Sequence, residues 1–158
     1  MPNWCDNHVN LNHADPAMIS KVKAAIENKT LFNSFIPQPD NAEDWYIWRV
    51  ENWGTKWEAN GIDIDLFGEN NIYFTMLTAW DAPITFYEKL VELGFQVDAR
   101  YFESGVMFTG IFTNENGDEH YDLSDKDYAW IETNLPEELD SDFGILDLVK
   151  EWENLDEN

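Results

Sequence analysis

The chain has 158 residues, 44% of them hydrophobic and 15% aromatic, enough apolar material to bury a core and to exclude global disorder. Its 32 acidic residues against 9 basic ones leave a formal charge of −23, which excludes a surface that holds nucleic acid or anionic lipid by charge. A single cysteine, Cys5, excludes an intrachain disulfide and a cysteine-based zinc cluster.

The first strand is expected at Asn7 to His13, where Val9 and Leu11 alternate with Asn and His. Asp15-Pro16 supplies an N-cap and a proline for the first helical turn, and Met18, Val22, Ala25 and Ile26 lie at helical spacing over 16–28. Residues 31–60 read as an irregular insertion: Phe32, Phe35, Ile36 and Pro37-Gln38-Pro39 suggest an extended crossing, followed by a tryptophan-dense stretch. Residues 61–80 read as a hairpin turning at Gly68–Asn71. Asp81 is the expected cap of a second helix carrying Pro83, Ile84, Tyr87, Leu90 and Val91, stopped by Gly94.

The clearest strand follows, with Phe95, Val97, Ala99 and Tyr101 in strict alternation. Turns at Glu103-Ser104-Gly105 and Asn116-Gly117 lead into two more strands, Val106–Thr113 and Glu119–Leu123. Ser124, with Asp127 three residues on, is expected to open a short helix, and a last helix is expected over about 142–154. The order βαββαβ, with both crossovers right-handed, predicts a ferredoxin-like α+β sandwich with its two helices on one sheet face. The added hairpin would widen that sheet. Residues 1–113 then form the ferredoxin-like domain with an insertion at 31–60, and 114–158 an acidic hairpin and helical extension packed on the same domain.

Charge is distributed unevenly. Residues 1–100 hold 15 acidic and 7 basic side chains (net −8), whereas 101–158 hold 17 and 2 (net −15). The opening Met1-Pro2-Asn3-Trp4 shows no basic stretch leading into an apolar one, and no apolar run nears the roughly 18 residues of a membrane span. A soluble, cytoplasmic protein is the expectation.

Four of the eight tryptophans fall between Trp45 and Trp57. Trp48, Arg49, Asn52, Trp53, Lys56 and Trp57 could form a stacking surface for a peptide or nucleotide, joined by Trp4 and Trp80 through the sheet. The preferred reading of the same residues is a structural plug that holds the insertion, with Trp53 and Trp57 both largely interior. An RNA-recognition module is disfavoured by the missing glycine-aromatic signature and by the charge.

No catalytic constellation emerges. Cys5 lacks a histidine base placed beside it by spacing, so a buried thiol is expected; His8 should lie on the strand face opposite Val9, and His120 has no evident role. Asn114–Glu119 lacks the alternating ligands of a calcium loop. Neither a metal site nor a cofactor is expected.

Pro2-Asn3-Trp4-Cys5 with Asn7, the block Asn52-Trp53-Gly54-Thr55-Lys56-Trp57, and Thr78-Ala79-Trp80 with Pro83 resemble the phage and plasmid ferredoxin-like domain family typified by the plasmid protein YubB. The similarity covers about residues 1–100. It implies a mobile-element origin and a ferredoxin-like fold, and it brings no catalytic residues.

Charge and context together predict a non-enzymatic inhibitor of a host defence protein that presents carboxylates where DNA presents phosphates. Duplex DNA carries one charge per about 1.7 Å, so 23 net charges match about a dozen base pairs. The expected partner is a DNA-binding host protein with a basic surface. The expected contact band is Asp125, Asp127, Glu132, Glu137, Glu138, Asp140, Asp142, Asp147 and Glu151, with the tryptophan-rich insertion as the alternative surface and a small enzyme as the least favoured reading.

Overall fold

The structure is a computed structural model, and it describes residues 3–156. Strand β1 (Trp4–Asn12) organises it. Its odd residues Cys5, Asn7, Val9 and Leu11 are buried, and its even residues Trp4, Asp6, His8 and Asn10 are half-buried, so the strand has two chemically different faces. It pairs antiparallel with β3 (Asn71–Ala79) on one side and β4 (Gln96–Glu103) on the other. Strand β2 (Asn60–Phe67) flanks β3, while β5 (Phe108–Thr113) and β6 (Gly117–Asp122) extend the other edge. The result is a six-stranded antiparallel sheet of order β2-β3-β1-β4-β5-β6 in a mixed α+β protein.

Helix α1 (Pro16–Glu27) begins where the Asp15 carboxylate accepts from Ala17 N–H, and it buries Ile19, Val22, Ala25 and Ile26. Helix α4 (Ile84–Glu92) buries Phe86, Tyr87 and Leu90. Both join one core with Val9, Leu11, Phe74, Val97 and Ala99, so both cover the odd-numbered face of β1. Each Val, Leu, Ile or Phe among them contributes about 1.5–3 kcal/mol by leaving water.

The segment expected to cross in extended form holds two helices, α2 (Leu31–Phe35) and α3 (Trp45–Asn52). A cap from elsewhere in the chain decides the first and a local cap the second. Glu58 accepts from the N–H groups of Phe32 and Asn33, 25 or more residues away, and Asp44 accepts from those of Tyr46 and Ile47. Asp81 does not cap α4: its carboxylate is taken by the adjacent Ala82 N–H, and the helix starts beyond Pro83 without a side-chain cap. Ser124 is likewise engaged by Asp122, so Asp127 caps α5 (Tyr128–Asn134) through Trp130 N–H.

The expected last helix is present as α7 (Ile145–Asp156), and the segment before it, not expected to be helical, forms a further helix, α6 (Glu137–Phe143). Gly144 separates them at φ +62°, a left-handed conformation that glycine adopts without steric cost, and the Asp140 carboxylate accepts from Leu146 N–H across the break. A second core unites Leu123, Ile131, Leu139, Ile145 and Val149 with Phe102 of β4. Because Phe102 neighbours Tyr101 on the opposite parity, this core lies on the other sheet face and anchors the extension there.

Trp53 is 1% exposed, with its indole N–H bonded to the Ile36 carbonyl and its ring 5.7 Å from Phe32. Trp57, expected inside, is 37% exposed; it lies at the sheet's end against Trp4, on the half-buried face that no helix of the first core covers. Trp53→Ala should lower stability by about 3–5 kcal/mol, and Trp57→Ala by about 1 kcal/mol or less, measured by urea denaturation.

Candidate functional site

The nine carboxylates of the expected contact band divide into two groups. Asp127, Asp140 and Asp142 have structural work. Asp127 and Asp140 cap backbone N–H groups, and Asp142 reaches from α6 to Arg100 at 3.2 Å and to His8 Nδ1 at 3.6 Å. Asp142 therefore clamps the extension to the sheet. The other six, Asp125, Glu132, Glu137, Glu138, Asp147 and Glu151, are exposed. Of these, only Asp125 has a cation within ion-pair distance among the described residues, Lys126 at 3.1 Å. They stand on or beside three helices that share the second core, so their spacing is held by packing.

The tryptophan-rich segment also divides. Arg49 donates to Gln38 and to the Lys56 carbonyl and lies over the rings of Trp45 and Trp53. The Asn52 amide donates to the Trp48 carbonyl, and Trp48 packs edge-on against buried Trp53. Trp53 is thus interior, and Trp48, Arg49 and Asn52 are half-buried residues whose bonds stabilise the insertion. The outward set is Lys56, Trp57 and Trp80: the Lys56 ammonium lies 4.1 Å from the Trp57 ring centroid and 3.6 Å from that of Trp80. Trp80 is 47% exposed and sits at φ +67°, held by its N–H to the Asn3 carbonyl.

Cys5 is fully buried, and burial foremost, then Asp81 nearby, pushes its thiol up, away from the thiolate a nucleophile needs. His8 lies opposite Val9 as parity requires, its ring tilted against that of Phe143 with centroids 4.5 Å apart. His120 has partners after all: its Nδ1 is 3.1 Å from the Tyr101 hydroxyl, which donates to Asp118 at 2.6 Å. Burial and that bond to a carboxylate hold the Tyr101 phenol neutral. Asn114 latches the β4–β5 hairpin, accepting from Val97 N–H and donating to the Phe95 carbonyl.

Sequence reasoning missed the polar cluster on the second sheet face, where Tyr73, Asp98, Arg100 and Asp142 gather around His8 and Asn10. Separations of up to 134 positions hide it (His8 to Asp142). The available signal was the Asn and His content of the even positions of β1, where an exposed strand face would more often carry Lys, Glu or Thr. No family model matches the chain, and neither the curated proteins nor the solved structures yield a match.

Burial raises the carboxyl pKa values of Asp6, Glu58 and Asp81 above their ordinary range. The folded state then binds these protons more tightly than the unfolded one. Their contribution to stability is full below about pH 4 and is lost as pH rises through the raised folded values. Asp122 has the opposite sign, being lowered by the N–H and hydroxyl of Ser124. The melting temperature should therefore fall as pH rises from about 4, and fall less in Asp81→Asn, whose amide can still accept from Ala82. A rise with pH would contradict the burial assignment.

Proposed function

We propose that the protein is a non-enzymatic, mobile-element inhibitor of a host DNA-binding defence protein, acting by acidic mimicry of duplex DNA. The observation that carries this reading is the set of exposed, mostly unpaired carboxylates at Glu132, Glu137, Glu138, Asp147 and Glu151, held on helices with a common core. A solubilising tail needs no such scaffold, whereas mimicry needs fixed spacing. The strand order β2-β3-β1-β4 with α1 and α4 on one face supports a ferredoxin-like core inside the wider sheet. The YubB-like motifs support a phage or plasmid source, and with it a site of action in the host cytoplasm.

The partner is a host protein with a basic groove. No direct nucleic-acid contact is involved, because the charge of −23 repels phosphates. A second reading places the contact at Trp57 and Trp80 around Lys56, favoured by the exposure of both indoles and the left-handed backbone at Trp80.

The test is displacement of labelled duplex DNA from a panel of bacterial duplex-binding proteins, including restriction endonucleases and nucleoid proteins. At least one should release its DNA, at a potency that falls at least about tenfold between low and moderate salt. Converting Glu132, Glu137, Glu138, Asp147 and Glu151 to amides should weaken that release at least about tenfold while leaving melting unchanged or raised, since like-charge repulsion is relieved. Salt-independent release, or release undiminished in the five-amide protein, would sink mimicry; its loss in Trp57→Ala or Trp80→Ala would transfer the contact to the aromatic surface.

A further inference from the structure

The even-numbered face of β1 lies at the middle of the sheet, and pairing on both sides arranges its neighbours in rows. Thr75, His8 and Arg100 form one row, Tyr73, Asn10 and Asp98 the next, and Asn71, Asn12 and Gln96 the last. Helix α6 roofs only the first. There the Phe143 ring packs on His8, and Asp142 bonds to Arg100. Beyond this roof the face is open. A hollow of about 110 Å³ between Tyr73, Asn10, Arg100 and Asp142 continues into one of about 360 Å³ bounded by Asn12, Gln96, Thr113 and Asn116. The two share Asn10 and Asp98, so they form one trough. Its size falls among small-molecule sites of several hundred Å³.

Two of the trough's amides are oriented in advance. The Asn71 NH2 group shares its two hydrogens among Asn10 Oδ1 at 2.6 Å, Asn12 Oδ1 at 3.0 Å and the Leu11 carbonyl at 3.1 Å. With both side-chain oxygens satisfied, the amide NH2 groups of Asn10 and Asn12 remain as donors without a protein partner among the described residues. The Gln96 amide and the Tyr73 hydroxyl are unpartnered in the same sense. Charge is already answered: Arg100 is matched by Asp98 at 3.4 Å and Asp142 at 3.2 Å. A small anion entering here meets Asp98, Asp142 and Glu115, and a small cation meets Arg100. The groups left over are neutral amides and hydroxyls, with Asp98 oxygens as acceptors and the Tyr73 ring as an apolar wall. Such a set complements a ligand that is uncharged and carries several adjacent hydroxyl or acetamido groups.

From this geometry we infer that the open sheet face beside α6 is a binding site for a neutral carbohydrate, one or two pyranose rings in length. Asn10, Asn12 and Gln96 donate to sugar oxygens, and Asp98 accepts from sugar hydroxyls. The site is independent of the acidic band, whose exposed members lie on other elements.

Side-chain amide resonances report on it directly. In 15N-correlated spectra of the intact protein, glucose, galactose, mannose, N-acetylglucosamine and their β-linked disaccharides would be added to about 50 mM, which covers millimolar affinity. At least one sugar should shift the NH2 signals of Asn10, Asn12 and Gln96 saturably and independently of salt. Gln96 is exposed and bears no internal bond, so Gln96→Ala should keep the parent melting temperature and weaken the dissociation constant at least about fivefold. The inference is overturned if no sugar in the panel moves these signals, or if spermidine or inorganic phosphate moves them saturably while the sugars do not. An unchanged dissociation constant in Gln96→Ala would overturn it as well.

Discussion

Strand β1 can sit at the centre of the sheet only because a buried amide is fully satisfied there. Asn7 lies on the helix-covered face with no exposure, between Cys5 and Val9. Its Oδ1 accepts from the Tyr87 hydroxyl of α4, and its Nδ2 donates to the Cys5 carbonyl and to Thr78 Oγ1 of β3. Thr78 in turn donates to the Asp81 carbonyl at the turn before α4. One side chain thus fixes the position of a neighbouring strand, a helix and the connection between them. Removing any partner would leave a buried polar group unpaired, at a cost of about 1–3 kcal/mol. No buried side-chain nitrogen or oxygen among the described residues lacks a partner.

The second face of the sheet is treated differently along its width. At the end of β4 the alternation stops, because Tyr101, Phe102 and Glu103 are all buried. Tyr101 belongs to the first face, and Phe102 supplies the contact on which α5, α6 and α7 build their own core. Glu103 is buried without a cation because the N–H groups of Gly105 and Val106 both bond to its carboxylate. The extension therefore covers the β4–β6 side and His8, and leaves the Asn10–Asn12 end of the β1 face open. That asymmetry creates both surfaces of interest, a rigid acidic exterior and a sheltered polar trough.

Cations are scarce, and most are placed on aromatic rings. Lys21 lies over Phe35, Lys23 over Phe67, Arg49 over Trp45 and Trp53, Lys56 over Trp57 and Trp80, and Lys126 over Trp130. Five of the nine basic side chains thus cover apolar surface with their stems and heads. Lys23, Lys89, Arg100 and Lys126 also pair with carboxylates, so with nine cations against 32 acids most acidic side chains are left to water or to backbone N–H groups.

Local pattern alone determined much of this protein. Period-two alternation placed β1, the hairpin of β2 and β3, and β4, and it put Val9 and Leu11 on one face and Val97 and Ala99 on one face, all of them buried, because a strand exposes alternate residues to opposite sides. Asp15-Pro16 and Gly94 marked helix ends by chemistry confined to a few neighbouring residues. Tertiary structure decided whatever depended on a distant partner. Glu58 made a helix of 31–35, Gly144 and Asp140 set off α6 from the last helix, and an internal network took Trp53 inside and tied down half-buried Arg49 while Trp57 stayed out. The trough was invisible in the sequence for the same reason: His8, Tyr73, Arg100 and Asp142 become neighbours only when antiparallel pairing and the docking of α6 close loops of tens of residues.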